Sequence, residues 1–185
     1  IATLNSGLVR INNPISEASY TYPIGTGSVY TPVMVSATFA SGASPFIEAT
    51  TTDSEEPNVI NSGQSLTKYW TVNSNDLTIS GATVDIVYDD TEIIGDESLY
   101  IPAYYGSTWS SGAVDDVADG SNTATFTHGA VSELNGNYTA GEPDAFDMYL
   151  VTNTNDSGTG SLRWAIVNAN SSSDETITFN IPSSD

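Results

Sequence analysis

The sequence has no cysteine, and this absence removes several kinds of chemistry at once. Disulfide bridges, thiolate metal sites and a cysteine nucleophile are all excluded. Long apolar runs are missing too, since no stretch approaches the ~20 apolar residues that a membrane-spanning helix needs. We therefore expect no membrane insertion.

Positive charge is almost as scarce as cysteine. Three basic residues, Arg10, Lys68 and Arg163, stand against 23 acidic ones, which gives a formal net charge of −20. Such a chain has little with which to neutralise phosphates, so nucleic acid is not expected as a partner. The simple interpretation of the charge is a solvated acidic surface, and the alternative is cation binding where carboxylates converge.

Residues that favour helices are also few, whereas Ser, Thr, Asn, Gly and β-branched residues dominate. This composition is typical of a β protein with many turns. Aromatic residues make up 10% of the chain, which argues against disorder. The acidic, Ser/Thr-rich, cysteine-free composition fits a secreted, extracellular location at a bacterial cell surface.

Apolar residues alternate in short runs that recur every 8–14 residues with turn signals between them. This spacing predicts an all-β fold, an antiparallel β-sandwich of the Ig-like or jelly-roll-like type. The predicted inward faces are Val33, Val35, Ala37 and Phe39 in the run 29–39, and Leu66, Lys68, Trp70 and Val72 in the run 66–72. Further short strands are predicted at 46–49, 77–79, 82–88, 99–105 and 123–127.

The tail has a different pattern from the rest of the chain. Residues 151–181 predict a strand, a polar turn, one short amphipathic helix, a second turn and a last strand. We therefore expect a β-sandwich domain at 1–147 and a strand–short helix–strand appendage at 148–185.

Two parts of the chain resemble known families. The first resemblance rests on five segments that follow one another in an informative order. They are the run 22–33, the KYWTV strand at 68–72, the YDD stretch at 88–95, Trp109 and the run 140–146. Together they resemble β-sandwich domains of secreted surface proteins of the Bacteroidetes and Chlorobi groups. Those domains usually carry Arg where this chain has Lys68.

The tail resembles the N-terminal cap of a right-handed parallel β-helix, because 151–166 and 175–179 match that pattern closely. The resemblance implies a further coil, so we expect the tail to be completed either by more sequence or by another molecule. The two resemblances imply a structural or adhesive module of a secreted protein, without catalysis in these segments.

Catalysis would have to use His128, the one histidine of the sequence. It lies at a predicted strand end, no G-x-S-x-G elbow supplies a nucleophile, and an exposed strand-end histidine is the simpler interpretation. We predict that the chain is not an enzyme and that it requires no cofactor.

Calcium is the cofactor that remains open, because hard cations bind converging oxygen ligands. The candidate ligands of a structural calcium site lie in two acidic loops and are Asp89, Asp90, Glu92, Asp96, Asp115, Asp116 and Asp119.

Other side chains leave further alternatives. The aromatics could form a glycan-stacking platform, although alternating aromatics in strands are more often core residues. Lys68 could pair with a carboxylate, because an unpaired buried charge is costly, or form an intramolecular isopeptide bond to an Asn or Asp.

The tail offers candidate assembly residues on its helix and last strand, namely Leu162, Trp164, Ile166, Ile177, Phe179 and Ile181. In a monomer we expect them to fold back on the sandwich, whereas in an assembly the last strand could pair with a neighbour's open edge. The leading function is an extracellular, non-catalytic structural or adhesive surface module, with self-association or adjacent domains as partners. The alternatives are a subunit of an extracellular filament built by strand exchange and, less favoured, a carbohydrate-binding accessory module.

Overall fold

The computed structural model describes residues 7–112, 117–118, 121–146, 149–158, 160–169 and 177–181. Within these residues the strands are β1 (Val9–Asn12), β2 (Ser19–Tyr22), β3 (Gly25–Thr26), β4 (Val29–Tyr30), β5 (Val33–Thr52), β6 (Tyr69–Val87), β7 (Ile101–Tyr105), β8 (Trp109–Ser111), β9 (Val117–Ala118), β10 (Thr123–His128), β11 (Gly136–Gly141), β12 (Leu150–Val151) and β13 (Thr178–Phe179). The helical segments among them are the 3₁₀ turns Asp90–Glu92, Glu97–Leu99 and Pro143–Ala145 and the helix α1 (Leu162–Ala169). The predicted all-β class is confirmed.

Nine of the described strands form one antiparallel sheet around two long central strands. Strands β5 and β6 contain 20 and 19 residues and pair from Val33 opposite Ile86 to Thr52 opposite Tyr69, except at residues 42–45, which have no partner in the register. Strands β2 and β10 flank the Val33 end, and β9 follows β10. Strands β1, β11, β7 and β8 extend the Thr52 end. The β5–β6 pair therefore belongs to both halves of the sheet.

The long pair bends where its register shifts, after Thr38 and after Ser41. Asp76, on the β6 side of the second shift, has a left-handed backbone with a φ of 56°. Its carboxylate accepts a hydrogen bond from the Ser44 amide at 2.8 Å. A Cβ on Gly42 would meet this carboxylate, so a larger residue there would have to displace the Asp76 side chain.

The two halves of the sheet face each other and form the layers of a sandwich. Strand β10 of one half contacts β7 and β11 of the other. The inward residues alternate along each strand, as the sequence predicts, with Val33, Val35 and Ala37 buried on β5. The largest fully buried side chains of the core are Trp70, Tyr22, Tyr100, Tyr138, Ile24, Ile47, Leu66, Ile79, Ile86 and Leu134.

The prediction of several short strands is wrong in one respect. The runs 29–39 and 46–49 largely fall in the single strand β5, and the runs 66–72, 77–79 and 82–88 largely fall in β6. The Ser and Gly residues between these runs are typical of turns. Here they lie within the strands, at the bend of β5 and around Gly81 of β6. A strand that crosses between two layers needs such residues, because they tolerate the change of register.

The tail is a strand–helix–strand unit, as predicted. Strand β12 pairs in parallel with β13, with Leu150 opposite Thr178 and Val151 opposite Phe179. Parallel strands need a crossover connection, and α1 supplies it. The predicted domain boundary at 147 lies outside the described residues. In the described part of the chain, no helix is long and apolar enough to cross a membrane.

Candidate functional site

The most unusual group in the interior is Lys68, because its side chain is completely buried. It directly precedes β6, on the same face as Trp70, as the alternation predicts. Its Nζ lies 2.6 Å from Thr26 Oγ1 and 3.2 Å from Asp53 Oδ1, and it forms an ion pair with Glu92 Oε1. All three N–H donors of the ammonium therefore have an acceptor, and the predicted carboxylate partner is confirmed.

Glu92 is fixed by the 3₁₀ turn in which it lies. Its Oε2 accepts a hydrogen bond from the Asp89 amide at 3.0 Å, and the Asp89 carboxylate in turn caps the turn. The Glu92 carbonyl accepts a hydrogen bond from the Thr67 amide at 2.9 Å, next to Lys68 in the chain. The Glu92 side chain is 5% exposed, whereas that of Asp53 is 68% exposed. The Lys68 cluster, made of Lys68, Glu92, Asp53 and Thr26, thus has one buried and one accessible carboxylate.

A second polar network surrounds Glu56, which is 2% exposed. Its carboxylate accepts hydrogen bonds from the Asn58 amide at 2.6 Å, from Asn58 Nδ2 at 2.9 Å and from Asn137 Nδ2 at 2.9 Å. The network fastens the connection between β5 and β6 to β11. The acidic run Asp53, Glu55 and Glu56 predicts an exposed loop, and for Glu56 this prediction is wrong. No sequence signal marks its amide partner on a distant strand.

His128 is buried at the end of β10, so the expectation of an exposed strand-end histidine is wrong. Its Nε2 lies 2.7 Å from the Tyr138 hydroxyl, which also lies 3.2 Å from the Leu134 carbonyl. The hydroxyl can accept from Nε2–H or donate to Nε2, so which of the two groups donates depends on the histidine tautomer. The nitrogen that a serine nucleophile would need is therefore bonded to a tyrosine.

The burial of His128 gives the stability a pH dependence. Burial lowers the pKa of His128 below its ordinary value of about 6.5. Below that pH the unfolded chain binds a proton that the folded chain resists, so the free energy of unfolding should fall as the pH drops from about 6.5. We expect the free energy of unfolding, measured with urea, to fall more between about pH 8 and about pH 5.5 for the native chain than for His128→Gln. Equal losses in the two proteins would contradict this assignment.

The candidate calcium ligands serve other purposes in the described residues. The Asp89 carboxylate accepts hydrogen bonds from the Thr91 hydroxyl and amide, which lower the pKa of Asp89. Asp96 caps the second 3₁₀ turn in the same way, through the Ser98 amide. Asp90 accepts a hydrogen bond from the Asn122 amide group, and Glu92 pairs with Lys68.

No group of three or more acidic or histidine side chains suited to a metal ion is found within the described residues. Asp115, Asp116 and Asp119 lie outside those residues. Calcium binding therefore stays a prediction. A melting temperature that rises with added calcium and falls with a chelator would support it, because a ligand selective for the folded chain raises stability.

The predicted assembly residues lie together in the tail and remain largely at the surface. Leu162 and Ile166 on α1 are 43% and 42% exposed, and Phe179 on β13 is 61% exposed. Ile181 is exposed as well, whereas Trp164 and Ile177 are half-buried. Four of the six predicted assembly residues are therefore exposed in the described part of the tail, and their role in assembly stays a prediction.

The start of α1 explains why the helix forms at this place. Ser161 is buried, and its hydroxyl oxygen accepts a hydrogen bond from the Trp164 amide at 3.2 Å. This is the bond of a serine N-cap. Ala165 is fully buried, and α1 contacts β12. The small inward residue leaves the larger apolar side chains on the outer face.

The aromatic residues divide between core and surface. Tyr22 and Trp70 are completely buried and cannot stack on a glycan. Tyr104 packs with Phe126 and Tyr138 at ring-centroid distances of 5.5 and 4.9 Å. The interpretation of the aromatics as core residues is confirmed for Tyr22, Trp70, Phe126 and Tyr138, whereas Tyr104 is half-buried at the edge of the core.

Comparison with known proteins gives no relative: no protein-family model, no curated protein and no solved structure matches the chain. The resemblance to Bacteroidetes and Chlorobi surface proteins stays a hypothesis that rests on the sequence segments alone.

Proposed function

We propose that this chain is a non-catalytic structural or adhesive module of an extracellular surface protein. The observation that carries the proposal is the use of polar groups in the interior. Among the described residues, the one buried side-chain polar atom without a hydrogen-bond partner is Thr31 Oγ1. Lys68, Glu56 and Glu92 are tied into networks that join strands, and such groups hold a fold together.

The surface charge supports an extracellular setting. A net charge of −20 keeps a module soluble and discourages unspecific association at a crowded cell surface. Antibodies raised against the purified chain should then label intact cells of its source without permeabilisation. Labelling that requires permeabilised cells would contradict the extracellular part of the proposal.

A second function, a filament subunit joined by strand exchange, is favoured by the apolar surface of the tail. Apolar area is exposed on α1 by Leu162, Ile166 and Val167, on β13 by Phe179, and just after β13 by Ile181. A strand that presents an open edge and apolar side chains can add to the sheet of a second copy. A head-to-tail contact of this kind does not close and extends into a fibre.

The double substitution Phe179→Ser/Ile181→Ser tests the filament alternative. If the tail is donated, the native chain should assemble with rising concentration and the double variant should stay monomeric, because it lacks the apolar anchors. Light scattering after size exclusion and electron microscopy measure this, and deletion of residues 174–185 should have the same effect.

Ile94→Ser is the matched control, because Ile94 is 40% exposed and lies outside the tail. It should assemble like the native chain. A native chain that stays monomeric at every concentration would rule out the filament and leave the structural module in place. A glycan array that stays blank would remove the carbohydrate-binding alternative.

A further inference from the structure

The ends of the two long strands bring an amine and a carboxylate together at the surface of the core. Thr52 and Tyr69 are directly opposite in the ladder of β5 and β6, so Asp53 and Lys68 continue the pair by one position. Directly opposed antiparallel residues have Cβ atoms about 4.5–5.5 Å apart. This position explains how the Asp53 carboxylate comes to lie 3.2 Å from Lys68 Nζ.

Glu92 provides a second carboxylate at the same nitrogen. It contacts Lys68 Nζ through Oε1, and its other oxygen is held by the Asp89 amide. Thr26 Oγ1 accepts the third N–H at 2.6 Å. The amine is therefore oriented from three sides, with one carboxylate available as a proton acceptor and the other as an electrophile.

We propose that Lys68 and Asp53 condense into an intramolecular isopeptide bond, with Glu92 as the proton carrier. Glu92 takes a proton from the Lys68 ammonium and passes it to an oxygen of Asp53, so that the nitrogen lone pair attacks Cγ of a neutral carboxyl group. The C–O bond to one Asp53 oxygen then breaks, and this oxygen leaves as water with that proton and a second one from the nitrogen. The third proton stays on the amide nitrogen, and no outside reagent is consumed.

Proximity lowers the barrier to this condensation. Intramolecular groups held in a reactive orientation reach effective molarities of about 10⁵–10⁸ M, so an attack that is very slow between free acid and amine becomes accessible. Glu92 is buried, so its proton transfer is shielded from solvent, whereas the exposed Asp53 side chain gives the released water a way out.

The bond would close the connection between β5 and β6 covalently. The ends of that connection would then stay joined in the unfolded chain, which loses conformational freedom as it does with a disulfide. Such a link suits a surface module, but the inference does not depend on the proposed function.

Mass spectrometry of the denatured chain tests the proposal. We expect an intact mass one water below the mass of the sequence, and a protease digest that contains the Asp53 and Lys68 peptides joined in one species. The joined peptide is required, because a cyclised aspartate also loses one water without linking two segments.

Substitutions make the test specific. Asp53→Asn should lose one ammonia instead of one water, because the leaving group is then the amide nitrogen. Glu92→Gln and Lys68→Arg should keep their full sequence masses, and circular dichroism shows whether they are folded. Tail substitution Phe179→Ser should leave the water loss intact. A native chain that stays at full mass after prolonged incubation, with unlinked peptides, would overturn the proposal and leave an ordinary ion pair.

Discussion

Replacement of Lys68 by methionine is expected to lower the free energy of unfolding by about 3–5 kcal/mol, because Glu92 then stays buried without its cation. The measurement is urea denaturation followed by tryptophan fluorescence. Lys68 touches two carboxylates and a hydroxyl, so its loss leaves several polar groups without a partner. A covalent link to Asp53 would add to the loss.

The second substitution in this test is Lys68→Met/Glu92→Leu. When both charges are replaced by apolar groups, no buried carboxylate remains, and a buried ion pair replaced in this way often costs little. The double variant should therefore be more stable than Lys68→Met alone. Arg163→Met is the matched control, because it breaks an ion pair with Asp156 in which the two side chains are 65% and 87% exposed. The loss of this surface pair should lower the free energy of unfolding by at most about 1 kcal/mol. A Lys68→Met variant as stable as Arg163→Met would show that the cluster contributes little.

Replacement of Trp70 by alanine should cost a similar amount, about 3–5 kcal/mol, because it opens a cavity in the centre of the sandwich. Trp70 is fully buried in β6, between Thr51 of β5 and Tyr138 of β11 in the ladder. Its indole N–H also donates to the Thr31 carbonyl at 2.8 Å, which would be left without a donor. The same urea denaturation measures the loss.

Two other variants separate packing from hydrogen bonding at this position. Trp70→Phe keeps most of the ring but leaves the Thr31 carbonyl unpaired, and should cost about 1–3 kcal/mol. Trp109→Ala removes a half-buried indole from the short strand β8 and should cost less than Trp70→Ala. A Trp109→Ala variant that is the less stable of the two would contradict the location of the main core.

The faces of the strands could be predicted from sequence, because one side of each strand is buried and side chains alternate with a period of two. Val33, Val35 and Trp70 follow this rule, and so does Lys68, whose carboxylate partner was also predicted. The tail helix could be placed because an apolar stripe at helical spacing follows a polar turn.

The length of β5 and β6 could not be predicted, since Gly42 and Gly81 mark turns in most sequences and lie in continuous strands here. The partners of the buried carboxylates could not be predicted either. Glu92 was expected in a calcium site and Glu56 in an exposed loop, yet each lies against side chains that are distant in sequence. Local patterns carry no information on such pairs, because the register of the sheet brings them together.

The buried polar groups hold one structural unit together and do not form a site for a ligand or an outside substrate. Ligand-binding loops and active-site lids are drawn from the less stable parts of a protein, which open locally, whereas structural centres open only when the whole fold unfolds. Native-state hydrogen exchange of the β5 and β6 amides next to Asp53 and Lys68 measures this difference most directly. We predict that these amides exchange with the free energy of global unfolding, equal to that of the amides around Val35 and Val84. Exchange through a local opening of much lower free energy at the Lys68 cluster would contradict the account.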